Sequence, residues 1–251
     1  MSTLQPFHLN AEDGKLIRGD RMDGKDRQIL FITGFLSKRW GNKSKALAQW
    51  CQEQGWGFCC YDVRGFGESE GSFTDYTLSD WVADARTVIQ TLTSGPPITI
   101  VGNSLGSWIA WMMAQEFERI ERLVLIAPAF NMMAVRARSI SEERRHAWLT
   151  AGWMPWDDDA MHRDYPIAWK WVEESEAYWN TRLDRLRTVK TTILHGLQDH
   201  VILPQGSSQF VQELLARNAS FPIELHLIPG DHRLSSPEHV EIFRRIILQH
   251  P

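Results

Sequence analysis

The chain has 251 residues, 43% of them hydrophobic and 23% charged, with a formal net charge of -4 and an isoelectric point near 6.1. That length suits one large α/β domain spanning residues 1–251, and the composition lies close to the globular average with no shift that marks a disordered tail or linker. Basic residues gather only in pairs such as Arg144-Arg145 and Arg244-Arg245, which argues against nucleic acid or an anionic membrane as a partner. No stretch approaches the roughly 18 uninterrupted apolar residues of a membrane span, and residues 1–10 lack the apolar core of a signal peptide. Cys51, Cys59 and Cys60 form an odd set without metal-ligand spacing and read as reduced core residues. The expectation is a soluble cytoplasmic monomer or homodimer that needs no metal or organic cofactor.

Taken in chain order, residues 6–10 and 15–21 flank Glu12-Asp13-Gly14 and predict an antiparallel hairpin. Apolar runs rich in β-branched residues then predict strands at 29–33, 58–63, 98–101, 123–126, 191–194 and 223–228. Helical spacing of apolar residues fills the intervals at 43–54, 78–92, 104–117, 206–217 and 237–249. Regular alternation of strand and helix predicts a doubly wound, mostly parallel sheet, with the hairpin added at one edge. Residues 131–189 break the rhythm. A structureless loop of that length is improbable inside an α/β unit, so two or three short helices are expected there, inserted as a cap over the sheet. Six of the twelve tryptophans fall in this interval, Trp148, Trp153, Trp156, Trp169, Trp171 and Trp179. They read either as an aromatic lid over an acyl or aryl pocket or as ordinary packing of the insertion, with Trp153 and Trp156 the candidate substrate contacts there.

Gly102-Asn103-Ser104-Leu105-Gly106 has the G-x-S-x-G pattern of a nucleophile elbow, and it sits where such an elbow requires, after one predicted strand and before one predicted helix. A sharp strand-to-helix turn lifts the serine hydroxyl clear of the sheet, and the glycines let neighbouring backbone approach. Serine is a poor nucleophile unless a base takes its proton and a third group orients that base. Downstream, Asp199 follows the strand 191–194 within His195-Gly196-Leu197-Gln198-Asp199, and His232 follows the strand 223–228 within Gly230-Asp231-His232. Ser104, Asp199 and His232 are therefore the candidate triad, with His200 and Asp231 as the adjacent rivals. The candidate oxyanion donors are the backbone N-H groups of Leu105 and of Phe35, in the loop after the strand 29–33. The side chains of Phe35 and Trp108 complete the candidate substrate contacts. Arg64, in Asp62-Val63-Arg64-Gly65-Phe66-Gly67-Glu68-Ser69, reads as part of a structural turn, with a substrate carboxylate as its other possible partner.

The Asp62–Ser69 turn, the elbow, the His195–Asp199 segment and Gly230-Asp231-His232 together resemble the α/β-hydrolase superfamily. A closer resemblance is to the small esterase group of animal mitochondrial acyl-protein thioesterases and acyl-glucuronide esterases. It rests on Gly34-Phe35-Leu36-Ser37 with Lys45-Ala46-Leu47-Ala48, on Glu70-Gly71 and Trp81, on Ser104-Leu105-Gly106 with Trp108, and on Asp231-His232-Arg233. The resemblance implies Ser104, Asp199 and His232 as the triad and a small-molecule acyl ester or thioester as substrate. A peptidase or C-C bond hydrolase on the same scaffold, or a non-catalytic binding protein with a hydrolase pocket, are the alternatives, because a fold does not fix the scissile bond.

Overall fold

A computed structural model describes residues 3–92, 95–155 and 165–248 of the chain. The hairpin β1 (Gln5–Asn10) and β2 (Leu16–Met22) pairs antiparallel, and β2 continues antiparallel onto β4 (Gly57–Tyr61). From β4 inward every pairing is parallel, through β3 (Gln28–Ile32), β5 (Ile98–Asn103), β6 (Ile120–Ile126), β9 (Lys190–Gly196) and β10 (Ile223–Ile228). The eight strands lie in the order β1-β2-β4-β3-β5-β6-β9-β10.

The central strands read as unbroken apolar runs because both of their faces are covered. Side chains alternate faces along a strand, so Leu30, Ile32, Cys59, Ile100 and Leu125 point into one core layer, while Ile29, Phe31, Cys60, Val101 and Ile126 point into the other. The first layer is closed by α2 (Leu78–Thr91), α3 (Leu105–Glu116) and α7 (Gln205–Arg217), and the second by α1 (Asn42–Gln54) and α8 (Pro237–Leu248). Each large apolar side chain buried this way contributes roughly 1.5–3 kcal/mol. The adjacent cysteines Cys59 and Cys60 fall on opposite faces, free and buried like Cys51, and burial pushes the Cys51 and Cys59 thiols up to about 12.

Over this body lies the insertion. Its described residues hold three helices, α4 (Met132–Ser139), α5 (Glu142–Ala151) and α6 (Lys170–Thr181). Ser141 caps α5 by accepting the Arg144 N-H at 3.3 Å, and Glu142 and Glu143 place negative charge in its first turn. Gly152 then ends the helix in the left-handed conformation. Beyond the helices the sequence predicts, the insertion contains a two-stranded antiparallel ribbon of β7 (Trp153–Pro155) and β8 (Pro166–Ala168). Three residues per strand, with a proline at the paired end of each, carry too little alternation to be read as strands.

Candidate active site

The turn from β5 into α3 is tight enough that its side chains are dictated by clearance. A Cβ on Gly106 would stand 2.2 Å from the Ile32 carbonyl oxygen, and one on Gly102 would stand 2.5 Å from Ser107 Cα. Only glycine lets α3 start this close to β3 and β5. Between them Ser104 takes φ 54° and ψ -119°, a strained conformation for a residue with a Cβ. The strain is tied down by the Ser104 N-H donating to the Ile126 carbonyl at 2.7 Å and by the Ala129 N-H donating to the Ser104 carbonyl at 3.1 Å. Ser107 stitches the same corner, its hydroxyl lying 2.7 Å from the Gly102 carbonyl and accepting the Ile126 N-H at 3.0 Å.

Ser104 Oγ lies 3.0 Å from Nε2 of His232, and His232 Nδ1 lies 2.7 Å from Oδ2 of Asp199. Because the carboxylate is an acceptor, Nδ1 carries the proton and Nε2 is left to accept from the serine hydroxyl. Asp199 sits in the turn after β9, its other oxygen Oδ1 accepting the N-H groups of Val201 at 2.9 Å and Ile202 at 2.8 Å. Burial works to raise the Asp199 carboxyl, but hydrogen bonds from His195, His232 and the Ile202 backbone, with the charge of His232, hold it well below the usual carboxylate range. The rivals stand outside this relay. Asp231 Oδ1 accepts the N-H groups of Arg233 and Leu234, and His200 is exposed on the cavity wall.

Leu105 is the first residue of α3, so its N-H has no acceptor within the helix. The loop carrying Phe35 runs directly against Ser104: a Cβ on Gly34 would meet Ser104 Cβ at 3.1 Å. That loop is held by the Ser37 N-H donating to Gly34 O at 3.2 Å, by Thr33 Oγ1 donating to Ser37 O at 3.1 Å, and by a positive φ at Leu36. Ser104, His232 and the Phe35 loop together border a cavity of about 850 Å³.

A sequence profile of the alpha/beta hydrolase family matches residues 29–243, a span that contains every one of these groups. The chain belongs to the alpha/beta hydrolase family. Among curated proteins, it is 24% identical over 236 residues to the mitochondrial palmitoyl-protein thioesterase ABHD10 of Homo sapiens, covering 93% of this chain and 76% of that one. The Mus musculus protein of the same name is 25% identical, over 93% of this chain and 78% of that one. Among solved structures, mouse alpha/beta hydrolase domain-containing protein 10 superimposes with a TM-score of 0.86 at 24% identity, covering 97% of this chain and 96% of that one. A putative hydrolase from Agrobacterium vitis S4 gives 0.84 at 21% identity, with 98% of each chain covered. Est1E from Butyrivibrio proteoclasticus, solved with ferulic acid bound, gives 0.78 at 19%, covering 97% and 96%. At these identities the superpositions show the hydrolase fold.

Within this hydrolase, the structure brings Ser104, Asp199, His232, Leu105 and the Phe35 loop to one place, but it separates two of the expected substrate contacts from the cavity. Trp108 is fully buried in the core, because α3 is apolar on every side and its second turn faces the body of the protein. Trp153 lies on the ribbon, 43% exposed and away from the cavity lining. Trp156 lies outside the described residues. The other tryptophans of the insertion pack it in place. Trp148 donates its Nε1 proton to the Ile167 carbonyl at 2.8 Å and meets Trp169 edge-on, and Trp171 packs edge-on against Trp81. Phe35 lines the cavity and wedges its ring between Phe73, Trp81 and Trp171. Arg64 is turned from the cavity into a buried ion pair with Asp84 at 2.5 Å.

The apolar wall comes from residues the sequence does not single out: Phe31, Leu36, Met132, Val201 and Ile202. Val201 and Ile202 had one available signal, their place directly after Asp199 in a strand-end loop. The lining also has a polar part, with Lys38, Lys43 and Arg233. Burial pushes the Lys43 ammonium down to about 8, with Asp231 opposing, and its Nζ donates to the Arg233 carbonyl.

Proposed function

We propose that this hydrolase cleaves carboxylic ester or thioester bonds through an acyl-enzyme intermediate on Ser104. The observation that carries this reading is the continuous relay of 3.0 Å and 2.7 Å from Ser104 through His232 to Asp199 at the edge of the cavity. His232 takes the Ser104 proton, the oxygen attacks the substrate carbonyl, and the developing oxyanion is met by the N-H groups of Leu105 and Phe35. Asp199 keeps the imidazole in its orientation and stabilises the imidazolium. His232 then returns the proton to the leaving oxygen or sulfur, and water repeats the cycle on the acyl-enzyme. Nucleophile, base and oxyanion donors are all protein groups, so the reaction calls for no cofactor.

The apolar wall of Phe31, Phe35, Leu36, Met132, Val201 and Ile202 suits an acyl chain, and the polar part of the lining suits a hydrophilic leaving group. Relatives named palmitoyl-protein thioesterase support the same substrate class. The three free buried thiols suit a reducing compartment such as the cytoplasm. Ser104→Ala is expected to lower kcat on p-nitrophenyl and thioester substrates by about 10⁴-fold or more and to abolish labelling by a fluorophosphonate probe. Steady-state kinetics and gel-based labelling check both, and retention of most turnover in that variant overturns the reading.

A further inference from the structure

His195 is the penultimate residue of β9, four residues before Asp199, and is fully buried. Its Nε2 faces two acceptors at once, Asp199 Oδ2 at 3.0 Å and the Ile202 carbonyl at 2.9 Å. Neither can give a proton, so Nε2 carries one and Nδ1 accepts. The partner of Nδ1 is the Ser207 hydroxyl on α7, 2.8 Å away and 1% exposed. A chain of five side chains therefore runs Ser207, His195, Asp199, His232, Ser104. Asp199 Oδ2 receives two imidazole N-H groups, one from the reacting histidine and one from behind, while Oδ1 is occupied by two backbone N-H groups.

We propose that His195, with its tautomer set by Ser207, is a positioning residue for the acid, fixing the rotation of Asp199 and drawing charge from the oxygen that holds His232. The proposal rests on the assignment of Ser104, His232 and Asp199 as the triad. Two effects follow. A carboxylate gripped by four donors cannot swing when positive charge forms on His232, so the stabilisation is available without reorganisation. A shared Oδ2 also binds the imidazolium less strongly than an oxygen with one partner would. Among the described residues, the titratable groups facing this carboxylate are the two histidines. From α7 the group facing His195 is the Ser207 hydroxyl, and in the last loop Asp231 is engaged with the Arg233 and Leu234 backbone.

The test compares His195→Leu, His195→Gln and Ser207→Ala with the wild type in kcat, KM and the pH profile of kcat/KM on a p-nitrophenyl ester, each variant first checked by circular dichroism and thermal melting. His195 does not line the cavity, so KM should stay within about twofold. His195→Leu should lower kcat on the order of tenfold or more and move the acidic limb of the profile to higher pH. His195→Gln places an amide with two N-H donors where Nε2 stood, enough for both acceptors, and should return the limb and most of kcat. Ser207→Ala should move both quantities in the same direction as His195→Leu, by less. A fall in kcat with the limb unmoved in all three, or a His195→Gln variant no better than His195→Leu, overturns the proposal. Fluorophosphonate labelling of the wild type separates the two readings: an unlabelled Ser104 overturns both, and a labelled one with unaltered His195 variants overturns only this one.

Discussion

A carboxyl group that is 1% exposed resists ionisation, because burial removes the water that would solvate its charge. Asp199 ionises nonetheless, since four N-H groups point at its two oxygens and together outweigh the desolvation. Asp199→Asn changes that balance without changing size. The amide offers His232 a donor where the relay needs an acceptor, so the imidazole turns to the other tautomer, and kcat on an activated ester should fall by about 10⁴-fold. The same depressed carboxyl links stability to pH. With its folded pKa below the unfolded value of about 3.9, the group's contribution is fully present above that value and is lost as pH falls through the folded one. Thermal melts of wild type and Asp199→Asn between pH 7 and pH 2.5 should show a stability gap that is constant near neutrality and narrows below about pH 4. A gap that stays constant to pH 2.5 would contradict the depressed carboxyl.

At the scale of elements, the decisive contact is the approach of α3 to β3. The added methyl of Gly106→Ala would overlap two backbone oxygens, Ile32 O at 2.2 Å and Thr33 O at 2.3 Å, neither of which can rotate away. The helix must lift from the sheet, at a cost of roughly 1–3 kcal/mol, and the Phe35 loop that continues from Thr33 must move with it. Melting temperature and esterase activity should fall together. Gly206→Ala, near the start of α7 with open space where its Cβ would go, should leave activity intact and match or exceed the wild-type melting temperature. Such contacts explain why the elbow is legible in the sequence: its glycines are required by clearance, and it falls between a short β-branched apolar run and a longer apolar segment of helical length. The strand-helix alternation is legible for the same reason, with boundaries good to within three residues. Where a side chain points is less so. Trp108 sits on a helix that is apolar all round, so no periodicity separates its core face from a cavity face. Trp153 sits on a ribbon too short to show a period. The grip of His195 on Asp199 depends on how the chain turns after β9, which spacing alone does not encode.

At the scale of the molecule, the cavity exists because several distant stretches end at the same edge of the sheet. The loop after β3, the elbow after β5, the start of α4, the loop after β9 and the loop after β10 all stand at the C-terminal ends of parallel strands, where an α/β sheet leaves a crevice. The cap is tied over that edge through α2. Glu174 of α6 accepts the Thr77 hydroxyl at 3.0 Å and the Ser79 N-H at 2.9 Å, placing a carboxylate at the positive end of the α2 dipole. Phe35, edge-on to Trp171, joins the same cap helix to the loop beside Ser104. With the apolar wall built from both body and cap, an acyl chain seated there would be removed from water along its length. Each buried methylene is worth about 0.8 kcal/mol, close to a fourfold gain in kcat/KM. Across p-nitrophenyl esters from acetate upward, kcat/KM should climb by about that factor per methylene and level off when the chain outgrows the wall. Met132→Asp, which sets a charge on the cap side of that wall, should flatten the climb while leaving acetate turnover within a few-fold. A wild type fastest on acetate, with no gain on lengthening, would assign the apolar wall to something other than the acyl chain.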